Sequence, residues 1–272
     1  MTAPQIRAAR PAVPSAAVRG RDILISEWTK LRSVRSNRWT LLSVAVVTIG
    51  SAALIGGAFT SGPPPPGGGP ITALTQSFLG YAEYAVLPAG VLGILAFSSE
   101  YATGLIATTY AAVPRRWAVL AAKAAVVGTA ALIAGEVLAF ASFFLTQAIL
   151  SGHHRGLSLS HPGVAGAVAA AGALLCVSAA AGLGLGAIVR HVAGAVAALV
   201  GLIYLLGLAC LFLPSPWNDR IGRFTVALAA YQVVALHPQR DLLAPALSML
   251  VLVAWPAAVL LAAGLLITRR DA

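Results

Sequence analysis

Charge is what this chain has least of. Only 10% of its 272 residues are charged, and just 8 are acidic. Soluble domains carry about a quarter charged residues, so this chain cannot cover itself with water-facing surface. Cysteine is also scarce. Cys176 and Cys210 both sit inside apolar runs at no metal-ligand spacing, which makes them small buried apolar residues. Catalytic signatures are missing too. There is no GxxxxGK[ST], so the chain carries no P-loop of its own, and there is neither HExxH nor GxSxG. His237 and Asp241, four apart beside a proline, match no catalytic pattern. His153, His154 and His161 read as a polar loop rather than a metal site.

What is present is apolar sequence: 59% of residues are hydrophobic and mean hydropathy is +0.87. Lipid is the natural solvent for such a chain. The formal net charge of +10 does not indicate a nucleic-acid partner, because the cations cluster between apolar runs, where they act as topology signals. The first apolar run begins near Thr40, too late for a secretory leader. It is expected to be a retained span.

The periodicity predicts an all-α fold with six spans: Thr40–Phe59, Leu74–Phe97, Trp117–Leu150, Gly163–Val189, Val192–Leu213 and Leu242–Thr268. The third, at 1.5 Å per residue, is roughly 50 Å long and must project beyond a bilayer. Residues 1–20, rich in Ala, Pro and Arg, are expected to be a disordered tail. Over 21–39, Leu24, Trp28, Leu31 and Val34 fall on one helical face, with Ser26, Lys30 and Ser33 opposite. This predicts an amphipathic helix on the membrane ahead of the first span, with Arg35 and Arg38 reaching for lipid phosphates. Residues 40–272 then form the membrane domain. SGPPPPGGGP, Ser61 to Pro70, cannot continue a helix and predicts an uncharged external loop. Pro88 predicts a kink in the second span. Gly182 and Gly186, four apart, predict a close-packing face on the fourth. Arg220–His237 is helical but too short in its apolar part to span, and predicts a re-entrant or external insertion. Fourteen of the 18 Lys and Arg residues fall on the side of the N-terminus, which places both termini in the cytoplasm.

Two carboxylates lie inside the spans. Glu83 and Glu136 find no partner cation in the apolar stretches around them, so each must be protonated, hydrogen-bonded to another helix, or wet. They are candidates for a substrate path, with a structural hydrogen bond as the competing role for Glu136 and an interfacial position for Glu83. The stretch Glu100–Lys123, EYATGLIATTYAAVPRRWAVLAAK, is a charged, helix-capable connection and reads as a short cytoplasmic helix linking the second and third spans.

Three features together carry a resemblance: EWTKLRSVRSNRWTLL from Glu27 to Leu42 before the first span, EYATGLIATTYAAVPRRWAVLAAK after the second, and a helical insertion before the sixth. From about residue 20 the chain resembles the permease subunit of type-2 ABC exporters. The E-Y-x-T-G … P-R-R … K block is the most specific part. The resemblance implies that Glu100, Tyr101, Thr103, Gly104, Pro114, Arg115 and Arg116 belong to a coupling helix docked on a cytoplasmic ATPase subunit. Glu27, Trp28, Lys30, Leu31 and Arg32 would belong to a connecting helix that also touches it. ATP and Mg would sit on that ATPase, with no cofactor on this chain. The working unit would hold a second permease copy or paralogue. The chain would be no enzyme itself but would sit in the plasma membrane and move cargo outward. An intramembrane enzyme would need paired catalytic side chains at one depth, and none is found. The remaining alternative is a non-transporting membrane assembly or immunity protein.

Overall fold

A computed structural model describes residues 19–61, 69–113, 115–153 and 156–269. Within them every regular element is helical. Six helical segments are long and apolar enough to cross a membrane: Arg35–Ala58, Pro70–Ala102, Arg116–Ser151, Val164–Val189, Val192–Leu211 and Pro245–Arg269. This is the make-up of a multi-pass membrane protein, with each span within a few residues of its expected place. Most of the tail, most of the Pro/Gly loop, Pro114, His154, Arg155 and the last three residues lie outside the described residues.

The elements are α1 (Gly20–Ser33), α2 (Arg35–Ala58), α3 (Pro70–Gly80), α4 (Val86–Ala102), α5 (Leu105–Ala112), α6 (Arg116–Ser151), α7 (Val164–Val189), α8 (Val192–Val200), α9 (Leu206–Leu211), α10 (Trp217–Gly222), α11 (Val226–Val234) and α12 (Pro245–Arg269). Wide π-helical turns at Tyr81–Ala85 and Gly201–Leu205 join α3 to α4 and α8 to α9 within the second and fifth spans. Close to Pro88, where a kink is expected, the second span has the wide turn instead. The proline ring crowds the carbonyl four residues back, at Tyr84, and the wide turn lies over that residue.

The N-terminal segment departs from one continuous helix over 21–39. Val34 is extended, at φ −78° and ψ 122°, and separates α1 from α2. Asn37, buried, turns back to donate Nδ2 to the Leu31 carbonyl at 3.2 Å, satisfying a C-terminal carbonyl of α1. Arg35 and Arg38 therefore open the first span rather than close the helix before it. The Glu100–Lys123 stretch is likewise not one helix. Glu100 belongs to the last turn of α4. Gly104, at φ +70°, ends the run, and α5 covers only eight residues. Lys123 lies in the third turn of α6.

Helix α7 is the centre of the bundle, packed against α4, α6 and α12. Small residues let these backbones approach. A Cβ on Gly182 would collide with the Gly90 carbonyl of α4, and one on Gly93 with the Ala179 carbonyl of α7. Hydrogen bonds across helices supplement this packing. Tyr81 donates to the Gly135 carbonyl at 2.7 Å, and Ser98 to the Gly186 carbonyl at 3.3 Å. At the far end of the bundle from α5, α11 tucks against α7 and α12. Buried Gln232 holds it there: its Nε2 donates to the carbonyls of Gln239 and Leu243, and its Oε1 accepts from the Gln239 amide. Gln232 thus uses most of its amide capacity in ordering the irregular chain before α12.

Gly182→Ala should force α4 and α7 apart and lower stability by at least about 1–3 kcal/mol, the usual range for overpacking. Gly166→Ala, whose added methyl meets nothing within 4 Å, should be neutral or slightly stabilising. Thermal unfolding of the two purified variants in detergent checks the contrast.

Candidate functional site

At the α5 end of the bundle, four charges meet. Lys123 reaches inward from α6 and is only 2% exposed. A lone ammonium there would be prohibitively costly. It pairs with Glu27 of α1 and, at 2.7 Å, with Glu100 of α4. Lys30 bridges the same carboxylates from the rim, at 2.7 Å from Glu27 and 2.9 Å from Glu100. Two ammoniums and two carboxylates alternate, so the group is neutral as a whole. It joins three elements distant in sequence: α1, the end of the second span and the start of the third.

Lys30 is the one member in contact with water, 34% exposed against 7% or less for the others. Burial on its own lowers the Lys30 pKa, but the carboxylates of Glu27 and Glu100 outweigh it and hold the amine above its ordinary 10.5. Two acceptors beside the cluster, Glu100 Oε2 and Asn37 Oδ1, are buried and make no hydrogen bond. Both residues line a small cavity of about 190 Å³ together with Lys30, Ser99 and Thr103. Such a space has the polarity and size to hold water.

The cluster sets the rotation of α1. Glu27 and Leu31 face the protein, while Leu24, Ile25 and Trp28 face outward. Arg32 lies over the Trp28 ring, 5.9 Å from its centre. The apolar stripe expected on this helix is therefore directed away from the bundle, except for Leu31, which is buried against Leu92 and Val127.

Helix α5 is docked by few side chains. Ile106 and Tyr110 are buried beneath it, with Phe97, Val119, Leu183 and Ile267. Arg116 stacks over Tyr110 at 5.3 Å and donates to the Ile267 carbonyl at 3.2 Å. Arg190, in a left-handed conformation at φ 62°, lies 4.9 Å over Tyr101. Burial pushes the Tyr110 phenol well above its ordinary pKa, with Tyr101 adding to the shift, so it stays neutral. The opposite face of α5 is open: Thr103, Gly104, Leu105, Ala107, Thr108 and Arg115 are exposed.

The residues singled out in the sequence thus divide. Glu27, Lys30, Leu31 and Glu100 come together in or beside the charge cluster. Tyr101 and Arg116 hold α5 down. Thr103, Gly104, Arg115, Trp28 and Arg32 are on the surface, and Pro114 lies outside the described residues. Local sequence does not name the partners of Lys123. Its position inside an apolar run was the available signal, since it required a carboxylate. Glu83 and Glu136 are not brought together. The Glu136 carboxyl lies against the backbone of Gly172 in α7. Glu83 instead lines a cavity of about 740 Å³ between the second, fourth, fifth and sixth spans and α11.

That cavity is mostly apolar. Its walls include Leu79, Leu199, Leu202, Leu208 and Pro256, and four aromatic residues: Tyr84, Tyr204, Tyr231 and Trp255. The two π-helical turns face each other across it, where the Tyr204 hydroxyl donates to the Glu83 carbonyl. The Trp255 indole donates to the Phe224 carbonyl at 3.1 Å. A comparison with protein-family models gives no match, and a comparison with curated proteins gives none either.

Removing one member of the cluster leaves buried charge unmatched. Lys123→Ala should cost about 3–5 kcal/mol, as for other broken buried pairs, and the swap Lys123→Glu with Glu27→Lys should recover part of it. Thermal unfolding in detergent reads both. Lys30→Met should be milder and pH-dependent. A raised lysine pKa contributes stability in full below 10.5 and loses it as pH rises through the elevated value. The gap in unfolding temperature between wild type and Lys30→Met should therefore be widest near pH 8 and close above pH ~10.5.

Proposed function

We propose that the chain is the permease subunit of an ATP-driven exporter of the type-2 ABC class. The observation that carries this reading is the charge cluster beside α5. A short helix with an open face sits between two spans. The charges tie those spans to a second surface helix, α1, through contacts no longer than 2.9 Å. A force on α5 or α1 then reaches the second and third spans together.

In this reading both termini are cytoplasmic, in accord with the bias of Lys and Arg toward the side of α1 and α5. Helix α1 lies at the membrane surface with Leu24 and Trp28 toward lipid. Helices α10 and α11 form a re-entrant insertion at the outer end. The exposed α5 face, with Thr103, Gly104, Leu105 and Arg115, docks on a cytoplasmic ATPase, which holds ATP and Mg. A second permease copy or paralogue completes the pathway in the plasma membrane. Closure of the ATPase pair pushes α5 and moves the attached spans as rigid bodies, so that the space between permeases changes its access. Glu100, buried and paired, contributes by fixing where α5 leaves the membrane rather than by touching the ATPase.

Purification of the protein from its native membrane in mild detergent, with ATP hydrolysis assayed on what accompanies it, tests the reading. An ATPase should co-purify. Leu105→Asp, at a 54% exposed position, should release it at unchanged permease yield. Gly104→Pro should do the same through the backbone, because proline cannot adopt φ +70°. A preparation with no ATPase would favour a non-transporting assembly or immunity protein.

A further inference from the structure

The 740 Å³ cavity has the size of a small-molecule site, and its lining has a definite polarity. Among the described residues around it, Glu83 is the one charged group. It stands 13 residues along the span from Pro70 and 17 from Glu100, roughly 20 and 25 Å from the two ends. That depth is inside the hydrocarbon region of a bilayer, where a carboxylate needs a counter-charge, a donor or water. No lysine or arginine lines the cavity.

Three of the other polar side chains of the lining are already engaged, whereas the Tyr231 hydroxyl only accepts, from Gln239 Nε2 at 3.4 Å, and keeps its proton. Tyr204 donates to the Glu83 carbonyl, Ser178 to the Val86 carbonyl and Trp255 to the Phe224 carbonyl. What these residues leave for a guest is largely ring and hydrocarbon. A site with one carboxylate, no cation and four aromatic rings suits a positive charge on an apolar body. It suits anions poorly.

We infer that this cavity binds a hydrophobic organic cation, its charge held beside Glu83 and the rings of Tyr84, Tyr204 and Trp255, and its body against Leu199, Leu202 and Leu208. The role of this guest as cargo rests on the exporter reading; the binding does not. The Tyr204 bond to the Glu83 backbone holds the two wide turns in register, so the carboxylate and the rings are positioned before the guest arrives.

Tetraphenylphosphonium and tetraphenylborate, alike in shape and opposite in charge, test the proposal by equilibrium dialysis against the purified full chain in detergent. The phosphonium should be retained and the borate bound much less. Glu83→Gln should weaken the phosphonium about tenfold and leave the borate unchanged or improved, and Trp255→Leu should weaken the phosphonium alone. Equal binding of the two ions, as expected if a lipid tail or a second copy fills the space, would overturn the proposal. So would a parallel loss of both in Glu83→Gln. If that variant does not fold, the wild-type preference between the ions decides. ATPase activity scored on the same preparations separates the two readings. Selective phosphonium binding without an ATPase keeps the site and ends the exporter reading. An ATPase without selective binding does the reverse.

Discussion

The burial of Lys123 constrains this structure more than any other single residue. Inside a helical bundle built for lipid, an unmatched buried ammonium is far costlier than a packing defect. Two carboxylates must come to it. One arrives on α4, from the end of the preceding span, and the other on α1. The second requirement fixes how α1 turns on the bundle, because Glu27 must face inward even though Leu24 and Trp28 are then left outside. A charge pair would be a poor source of net stability, since desolvation offsets most of the attraction. Its effect here is geometric. It specifies which helices meet and at what rotation.

The middle of the bundle follows a different rule. Helices α4 and α7 approach until carbonyl and Cα groups touch, because Gly90, Gly93 and Gly182 carry no side chain to hold them apart. Lipid offers no hydrophobic drive toward such contact, so dispersion between close backbones and a few cross-helix hydrogen bonds supply it. This tight seam lies on one side of the second span. On another side, around its wide turn, the same span opens onto the apolar cavity. Rigidity and open volume are thus carried by adjacent stretches of one span. The π-helical turn at Tyr81–Ala85 separates Tyr81, which is bonded to α6, from Glu83, which faces the cavity.

The charge cluster and the cavity are joined by a single span. The charge cluster and α5 lie at one end of the second span, and the Glu83 cavity lies about 25 Å along the same helix. Both α4 and the turn before it are continuous with the residues that contact α7. In the exporter reading proposed above, a shift of α5 would reach the cavity through this one packed element.

Much of the fold was set by composition and periodicity. Six apolar runs of spanning length, separated by prolines, glycines and cations, left little freedom about where the helices lie, since in lipid each backbone must satisfy itself. The helix α1 and the connection around α5 were also readable from local pattern, whereas the single helix expected over Arg220–His237 is two short ones, α10 and α11, separated at Arg223–Thr225. Pairing was not readable. Hydrophobic spacing marked Leu24 and Trp28 as one face but could not say whether that face met protein or solvent. Nothing local joined Glu27 to a lysine 96 positions away. Glu83 and Glu136 looked alike in sequence, two carboxylates in two apolar runs. Packing alone put one against the Gly172 backbone and the other in a cavity. Helix existence is decided by each segment's own backbone and solvent, whereas the partner of a buried charge is decided by which helices are brought within a few ångströms of it.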